Sequence, residues 1–261
     1  MNVYPQIQEW HQRAGQFLRT AGADVGDLVS AVSCAGCGGY GIALCDECWL
    51  QWQTGVKRVE NEVSALQLRS QFPLWAAASY ELAVRQTIVA LKDRGRLDVL
   101  DVVTGATMRL AERIAPVFEE CLPAQQLPVI VVPVPARKPI WLSGREIDLP
   151  THFGQDLVSH MGRFDLPALL ENALRTRGWS RDQVGLDRIA RRKNRRGTMR
   201  IRTNAVDLEN KPVLVVDDVA TTDATMSEAA RELTRAGGAV VGGAVLAVTK
   251  LRKADAGPLE E

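Results

Sequence analysis

The chain contains 261 residues, 46% of them hydrophobic, and its 32 basic and 31 acidic residues leave a formal net charge of +1. This length and composition are sufficient for one main domain with a sizeable core plus a smaller appendage. They exclude a membrane span, because the sequence has no run of 18 apolar residues. Residues 1–16 lack a basic segment followed by an apolar one, so no signal peptide is predicted and the expected location is the cytoplasm.

The first predicted element is an amphipathic helix over Tyr4–Leu18. Apolar residues such as Ile7, Trp10 and Phe17 recur there at helical spacing. An isolated apolar face of this kind docks on a protein's own body more often than on a partner. We therefore expect this helix to cover part of the core.

Two Cys-x-x-Cys pairs follow the first helix. Each pair can turn two thiolates onto one ion, and four sulfur atoms complete a tetrahedral zinc site with no open position, which favours a structural role over a catalytic one. Disulfides are the alternative and are less favoured in the cytoplasm, while redox chemistry would need only one such pair. The predicted zinc ligands are Cys34, Cys37, Cys45 and Cys48.

A strand, a helix and a basic turn are predicted next. Leu74–Tyr80 has the composition of a strand, Leu82–Leu91 has a helical pattern, and Lys92 and Arg94 stand just before Gly95. These cations could bind pyrophosphate oxygens. They could equally complement the dipole at the carboxyl end of the helix. A long packing helix is predicted after this turn, over Asp98–Glu120.

The middle of the chain alternates between strand and helix patterns. Val129–Pro135 is a buried strand closed by prolines, Phe153–Met161 is a helix, and Leu166–Leu174 leads to a further strand ending near Arg175.

A basic segment extends from Arg175 to Arg202, with eleven Arg or Lys against two Asp, an excess of nine positive charges. Three uses remain open: contact with nucleic-acid phosphates, a hood over a polyanionic small substrate, or a solvated face. The residues predicted to contact single-stranded DNA are Arg191, Arg192, Arg195 and Arg196.

An apolar run at Val213–Val216 leads into Asp217 and Asp218, then into a hydroxyl-rich turn and a helical pattern from about Ala224. The run predicts a strand buried on both faces. At the carboxyl end of a parallel strand, backbone N–H groups and the helix dipole favour a small anion. The two carboxylates can accept hydrogen bonds from ribose hydroxyls, so we expect a sugar phosphate, held by Thr221, Thr222, Asp223, Ala224 and Thr225.

A helix over Thr225–Ala236, with Thr225 and Glu228 as a capping box, and a strand over Ala239–Thr249 complete the pattern. The alternation predicts an α/β fold with a doubly wound, mostly parallel sheet. The expected domains are an N-terminal helix and zinc module (1–55), a main domain (70–252) and a disordered tail (253–261).

The Asp-Asp and Thr-Thr-x-Ala-Thr run resembles the phosphoribosyl-pyrophosphate (PRPP) signature of type I phosphoribosyltransferases. This resemblance implies that Asp217 and Asp218 act on the ribose during a Mg²⁺-assisted transfer of ribose 5-phosphate to a nitrogen nucleophile. It also implies that Arg137, in the loop after Val132–Pro135, joins Lys92 and Arg94 in neutralising the departing pyrophosphate.

The order of all the motifs resembles the ComF family: a four-cysteine zinc module, Leu91–Gly95, Val132–Pro135, Gln183 with Leu186, Arg191 with Asn194, and the PRPP signature. Membership implies a type I phosphoribosyltransferase fold and, in naturally competent bacteria, a role in the uptake of transforming DNA. The alternative to an enzyme is a nucleic-acid-handling or PRPP-sensing protein without turnover.

Two positions depart from the family pattern. Asp223 stands where the family has Gly, and Ser143 stands where an Arg is expected. Asp223 places a negative charge at the anion site, and two unit charges about 4 Å apart repel by roughly 4 kcal/mol at an effective dielectric of 20. Its carboxylate could instead cap the following helix. The sequence therefore leaves open whether the chain catalyses transfer, and it does not give the acceptor or the oligomeric state.

Overall fold

A computed structural model of the chain describes residues 32–53, 73–121, 128–136, 145–177, 197–221 and 224–249. The predicted helix over Tyr4–Leu18 and the predicted tail lie outside these ranges. The strands are β1 (Leu74–Ser79), β2 (Val129–Pro133), β3 (Ala168–Leu170), β4 (Leu174–Thr176), β5 (Met199–Ile201), β6 (Pro212–Ala220) and β7 (Ala239–Val248). The helices are α1 (46–53), α2 (Leu82–Arg94), α3 (Leu100–Cys121), α4 (Leu149–Met161) and α5 (Ala224–Arg235). Short 3-10 turns occupy Leu97–Val99 and Gly162–Phe164.

Five of the strands form one sheet in the order β1-β7-β6-β2-β3, and all four pairings are parallel. β4 and β5 form a separate antiparallel pair. Because β6 pairs with both β7 and β2, its apolar residues lie in the middle of the sheet, as its unbroken Val and Leu composition predicts. The predicted α/β class with a parallel sheet is confirmed.

Helices cover both faces of the sheet. One face packs against α3 and α4 around Ile114 and Phe153, and the same core continues to Ile88 of α2; all three side chains are almost fully buried. The other face packs against α5 and the β4-β5 pair, through Met226 and Leu174. The alternation of side chains along β6 supplies both cores, since Leu214 faces the first core and Val213 the second.

One glycine of β7 is required by this packing. A Cβ atom at Gly242 would lie 2.2 Å from Cζ3 of the Trp75 ring, which crosses it from β1. No side chain fits at that distance, so the strand approaches the indole with bare backbone.

Several boundaries differ from the sequence prediction. α4 begins at Leu149, four residues before the predicted start, with Pro150 in its first turn, where a missing N–H costs nothing. β6 continues through Asp217 and Asp218 to Ala220 instead of ending at the acidic pair. α5 begins at Ala224, so Thr225 is already helical and cannot be the N-cap of the predicted capping box.

α2 takes an unusual course for a helix that follows a parallel strand. It begins three residues after β1 ends, at the edge of the sheet where the strands have their carboxyl ends, here called the carboxyl edge. Its last turn contacts Asp218 near the end of β6, two strands away in the sheet. α2 therefore runs across the carboxyl edge instead of returning along the sheet. None of the helices in the described ranges is long and apolar enough to cross a membrane.

Candidate functional site

The acidic pair lies at the carboxyl edge, as the sequence predicts, but its two carboxylates have different surroundings. Asp218 is 6% exposed, whereas Asp217 is partly exposed. Neighbouring side chains of a strand point to opposite faces of the sheet. The carboxylate of Asp217 also accepts a hydrogen bond from the backbone N–H of the next residue, Asp218, at 2.8 Å. The two oxygen-rich groups are thus adjacent in sequence and distinct in environment.

Within the described ranges, the fold brings the cation Lys92 to this pair. Its Nζ lies 2.5 Å from Oδ2 of Asp218, and the two side chains are 23% and 8% exposed. A carboxylate buried to this degree is stable as an anion only beside a positive charge or hydrogen-bond donors. The contact joins two segments that the sequence analysis predicts to serve one ligand.

The turn after Lys92 is fixed by the end of α2 and by the segment before α4. Gly95 has φ of 62°, and its N–H caps the helix by donating to the carbonyl of Ala90. A residue other than glycine would be strained in this left-handed conformation, so the backbone is what favours glycine here. Asp93 accepts a hydrogen bond from Arg145 at 3.0 Å. The basic turn therefore meets the end of the loop that follows β2.

The remaining predicted ligand residues are placed only in part. Arg94 is exposed in the last turn of α2, and Thr221 is exposed directly after β6. Ala224 and Thr225 form the first turn of α5, buried and half-buried respectively. Thr222, Asp223 and Arg137 lie outside the described residues, as do Ser143 and the basic residues Arg191, Arg192, Arg195 and Arg196.

Mg²⁺ would need oxygen ligands from a substrate at this edge. Within the described ranges, the groups of three or more potential metal ligands that lie close together consist of the four cysteines alone. Mg²⁺ is commonly bound by one or two carboxylates together with substrate phosphates, so the acidic pair can contribute to such a site without forming one by itself.

The four predicted zinc ligands lie together in the region just before and at the start of α1. Their sulfur atoms are all within 4.8 Å of one another. Two separations, Cys34 to Cys45 at 3.7 Å and Cys37 to Cys45 at 3.8 Å, match the edge of about 3.8 Å expected for a tetrahedron with zinc–sulfur bonds of about 2.3 Å. The donor set and its spacing fit zinc, which would complete a structural centre.

Backbone N–H groups at this centre favour the thiolate form of Cys34. Burial raises the pKa of Cys34, but hydrogen bonds from the backbone of Cys45, Cys37 and Gly36 outweigh it and lower the pKa to about 6. The N–H of Cys45 lies 3.3 Å from the Cys34 sulfur. Donors directed at sulfur stabilise the thiolate, which is the form that binds zinc. Burial, together with the neighbouring thiols, raises the pKa of Cys48.

A shallow groove of about 430 Å³ runs beside the cysteines and the start of α2. Gly36, Cys48, Leu82 and Arg85 are among the residues that line it. It lies at the opposite end of α2 from Lys92, so it is separate from the acidic pair.

A second buried acidic network was missed by the sequence analysis. Glu228 is 3% exposed, accepts a hydrogen bond from the N–H of Gly197 at 2.6 Å, and is paired with Arg231 at 3.0 Å. Glu232 is 1% exposed and accepts from Arg200, Arg231 and Arg235. The local pattern suggested a capping box at Glu228, whereas its partners include a glycine from a distant part of the chain. This network ties α5 to β5 and to the end of the basic segment.

Comparison with known proteins gives structural likeness only. No protein-family model matches the chain, and no curated protein matches it. Among solved structures, the chain is similar to a hypoxanthine-guanine phosphoribosyl transferase from L. donovani, at 18% identity and a TM-score of 0.38, over 56% of this chain and 71% of that one. It is also similar to a mutant of a hypoxanthine phosphoribosyltransferase from Trypanosoma cruzi in a ternary substrates complex, at 16% identity and a TM-score of 0.37, over 60% and 72% of the two chains. The function proposed below rests on the residues of this chain.

Proposed function

We propose that the chain binds a phosphorylated pentose at the carboxyl end of β6, in the form of PRPP with Mg²⁺. The observation that carries the proposal is the contact between Lys92 and Asp218. A single ligand that offers both hydroxyls and a diphosphate can satisfy both of these groups after they separate. PRPP has this combination on one ring.

Each end of the ligand has partners of suitable chemistry. The Asp218 carboxylate would accept hydrogen bonds from the ribose hydroxyls, and the Lys92 ammonium would move to the diphosphate. The 5-phosphate would lie against the turn from Thr221 to Thr225, where the first turn of α5 offers backbone N–H groups and the positive end of its dipole. Arg94 and Arg137 would add positive charge on the diphosphate side.

Transfer would break the bond between the anomeric carbon and the pyrophosphate oxygen. A nitrogen nucleophile would form the new bond and lose its proton, and pyrophosphate would leave with both bonding electrons. The carboxylates would stabilise the positive charge that develops on the ring. When bound, Mg²⁺ would neutralise the diphosphate.

Titration calorimetry with PRPP and Mg²⁺ tests the proposal, using the native chain and Asp223→Gly. We expect heat of binding from the native chain and tighter binding by the variant, because the substitution removes a negative charge beside the 5-phosphate. Binding by the variant alone would show a site that Asp223 has closed, and it would remove PRPP as a ligand of the native chain. Silence from both proteins would overturn the proposal.

The finer predictions from the ComF resemblance, namely the family itself, DNA uptake and single-stranded DNA binding, remain predictions. Arg191, Arg192, Arg195 and Arg196 lie outside the described residues. A salt-dependent shift of single-stranded DNA that is lost when these four are reversed to Glu would support them. An absence of DNA affinity at low salt would remove the prediction of single-stranded DNA binding.

A further inference from the structure

The four-cysteine module is defined here as residues 32–53. It contacts both ends of the helix α2. At the start of α2, Oε1 of Gln51 accepts a hydrogen bond from the N–H of Ala83 at 3.0 Å. The N-cap residue Glu81 makes no side-chain capping bond, so Gln51 supplies a partner that the first turn otherwise needs. The module thus contributes a cap to the helix from outside.

The packing at this end leaves little freedom. A Cβ atom at Gly36 would lie 2.6 Å from the sulfur of Cys48 and 2.9 Å from Cβ of Ala83. Cys34, Cys48 and Ala83 form one small buried cluster. Two of the predicted zinc ligands therefore share one buried cluster with the first turn of α2.

The other end of α2 is attached through Arg96. Its Nη2 donates to the carbonyl of Ser33 at 2.9 Å, and Ser33 immediately precedes the first metal ligand. Asp98 holds the same guanidinium with two hydrogen bonds of 2.8 Å. Arg96, which the basic turn offers as a further cation, is thereby committed to the module and to Asp98.

Lys92 lies between these two attachments, in the last turn of α2, where it reaches Asp218. Trp52 of α1 is completely buried in the core that also contains Ile88 and Leu91 of α2. The module, the helix and the acidic residue are therefore connected through a continuous set of contacts.

We propose that the four-cysteine module is a positioning element for Lys92: the metal-bound module holds α2 across the carboxyl edge and so sets how tightly the diphosphate of the ligand is bound. The effect on the ligand rests on the proposed function. The effect on α2 itself does not. Lys92 acts on the diphosphate and not on the ribose phosphate alone, so loosening α2 would weaken PRPP binding and would not weaken ribose 5-phosphate binding.

Hydrogen exchange of the backbone amides tests the first part of the proposal on the full chain. Arg96→Ala removes the bond to Ser33 together with the two bonds to Asp98, and it leaves every cysteine in place. Asp98→Asn disturbs the Asp98 bonds alone and is the control, so the difference between the two variants reports the bond to Ser33. We expect exchange in the last turn of α2 to rise about two- to tenfold in Arg96→Ala, the range for one lost hydrogen bond, and to rise further when zinc is removed. Exchange in β6 and β7 should not change. Unchanged exchange in α2, both in Arg96→Ala and without zinc, would overturn the proposal.

Binding measurements test the second part. Arg96→Ala should weaken PRPP binding by a similar factor, with no loss of affinity for ribose 5-phosphate and no change in zinc content. In a Lys92→Met background, Arg96→Ala should have no further effect on PRPP, because the coupling passes through Lys92. An equal loss in both backgrounds would overturn the role of Lys92. If no protein binds PRPP while exchange in α2 still responds, the proposed function and the effect on the ligand fall, and the attachment of α2 to the module stands.

Discussion

Asp218 and Glu228 are both almost completely buried carboxylates, yet their partners differ in kind. Glu228 accepts from the N–H of Gly197 and from two nitrogens of Arg231. These donors outweigh the effect of burial and hold its pKa below the usual value. Asp218, in the described part of the chain, meets the ammonium of Lys92 at the end of a long flexible side chain. A carboxylate held by backbone and guanidinium donors is built to stay paired, whereas one held by a lysine can exchange its partner.

The two carboxylates also lie in different parts of the fold. The Glu228 network lies between α5, β5 and the end of the basic segment, and it joins these three parts of the chain. The Lys92 contact lies at the carboxyl edge, where ligands of parallel α/β sheets bind. Substitutions should therefore affect stability at the first site and ligand binding at the second.

The largest effect is expected from Asp218→Asn. The amide keeps the volume and removes the charge, so PRPP affinity should fall about 10- to 150-fold, the range for a lost hydrogen bond to a charged group. Calorimetry with PRPP and Mg²⁺ measures this loss. Asp165→Asn is the matched control, because Asp165 is exposed and precedes β3 at the opposite edge of the sheet. Equal affinities of the two variants would contradict the assignment of Asp218.

Glu228→Gln should lower the free energy of unfolding by about 1–3 kcal/mol, because the buried amide cannot replace both charge-assisted bonds. Denaturant unfolding measures the change, and PRPP affinity should stay within twofold of the native value. If Glu228→Gln had the native free energy of unfolding but lost PRPP affinity, Glu228 would be a ligand-binding residue and not a stabilising one.

Lys92→Met should have opposite effects on two ligands. It frees Asp218 from its cation, so ribose 5-phosphate should bind a few-fold more tightly, while PRPP should bind more weakly because its diphosphate loses a cationic partner. Competition between the two ligands on one protein sample measures the ratio directly. A parallel change for both ligands would show that Lys92 does not distinguish them.

The smallest effect is expected from mild acid. The pKa of Glu228 in the folded chain is below its ordinary value of 4.5, so its contribution to stability is complete above that pH and is lost as the pH falls through the folded value. The stability difference between the native chain and Glu228→Gln should therefore shrink below about pH 4.5. Unfolding curves from pH 6 to pH 3 follow the change. If the stability difference between the two proteins grew in acid, the pKa of Glu228 would be shifted in the opposite direction.

Local patterns were sufficient to predict much of the fold and part of the site. The apolar runs of β2, β6 and β7 identified the middle of the sheet. The paired cysteine spacing predicted the group of four sulfur atoms that the structure shows. Gly95, with φ of 62°, ends α2 three residues beyond the predicted end at Leu91, whereas α5 ends at Arg235, one residue before its predicted end.

What the sequence could not supply depends on distant parts of the chain. The contact of Lys92 with Asp218 requires α2 to cross the carboxyl edge, and its apolar pattern specifies which face is buried but not its direction. Glu228 fits a local capping motif, yet its partners include Gly197 from another segment. The attachment of the cysteine module to both ends of α2 likewise uses a backbone carbonyl and a glutamine, which carry no sequence signal.

A structure with PRPP and Mg²⁺ bound tests the central claim most directly. The account predicts the 5-phosphate against the turn from Thr221 to Thr225, a ribose hydroxyl within hydrogen-bonding distance of Asp218, and Lys92 moved from that carboxylate to the diphosphate. A saturated crystal in which Lys92 still contacts Asp218, with the ligand bound elsewhere, would contradict it.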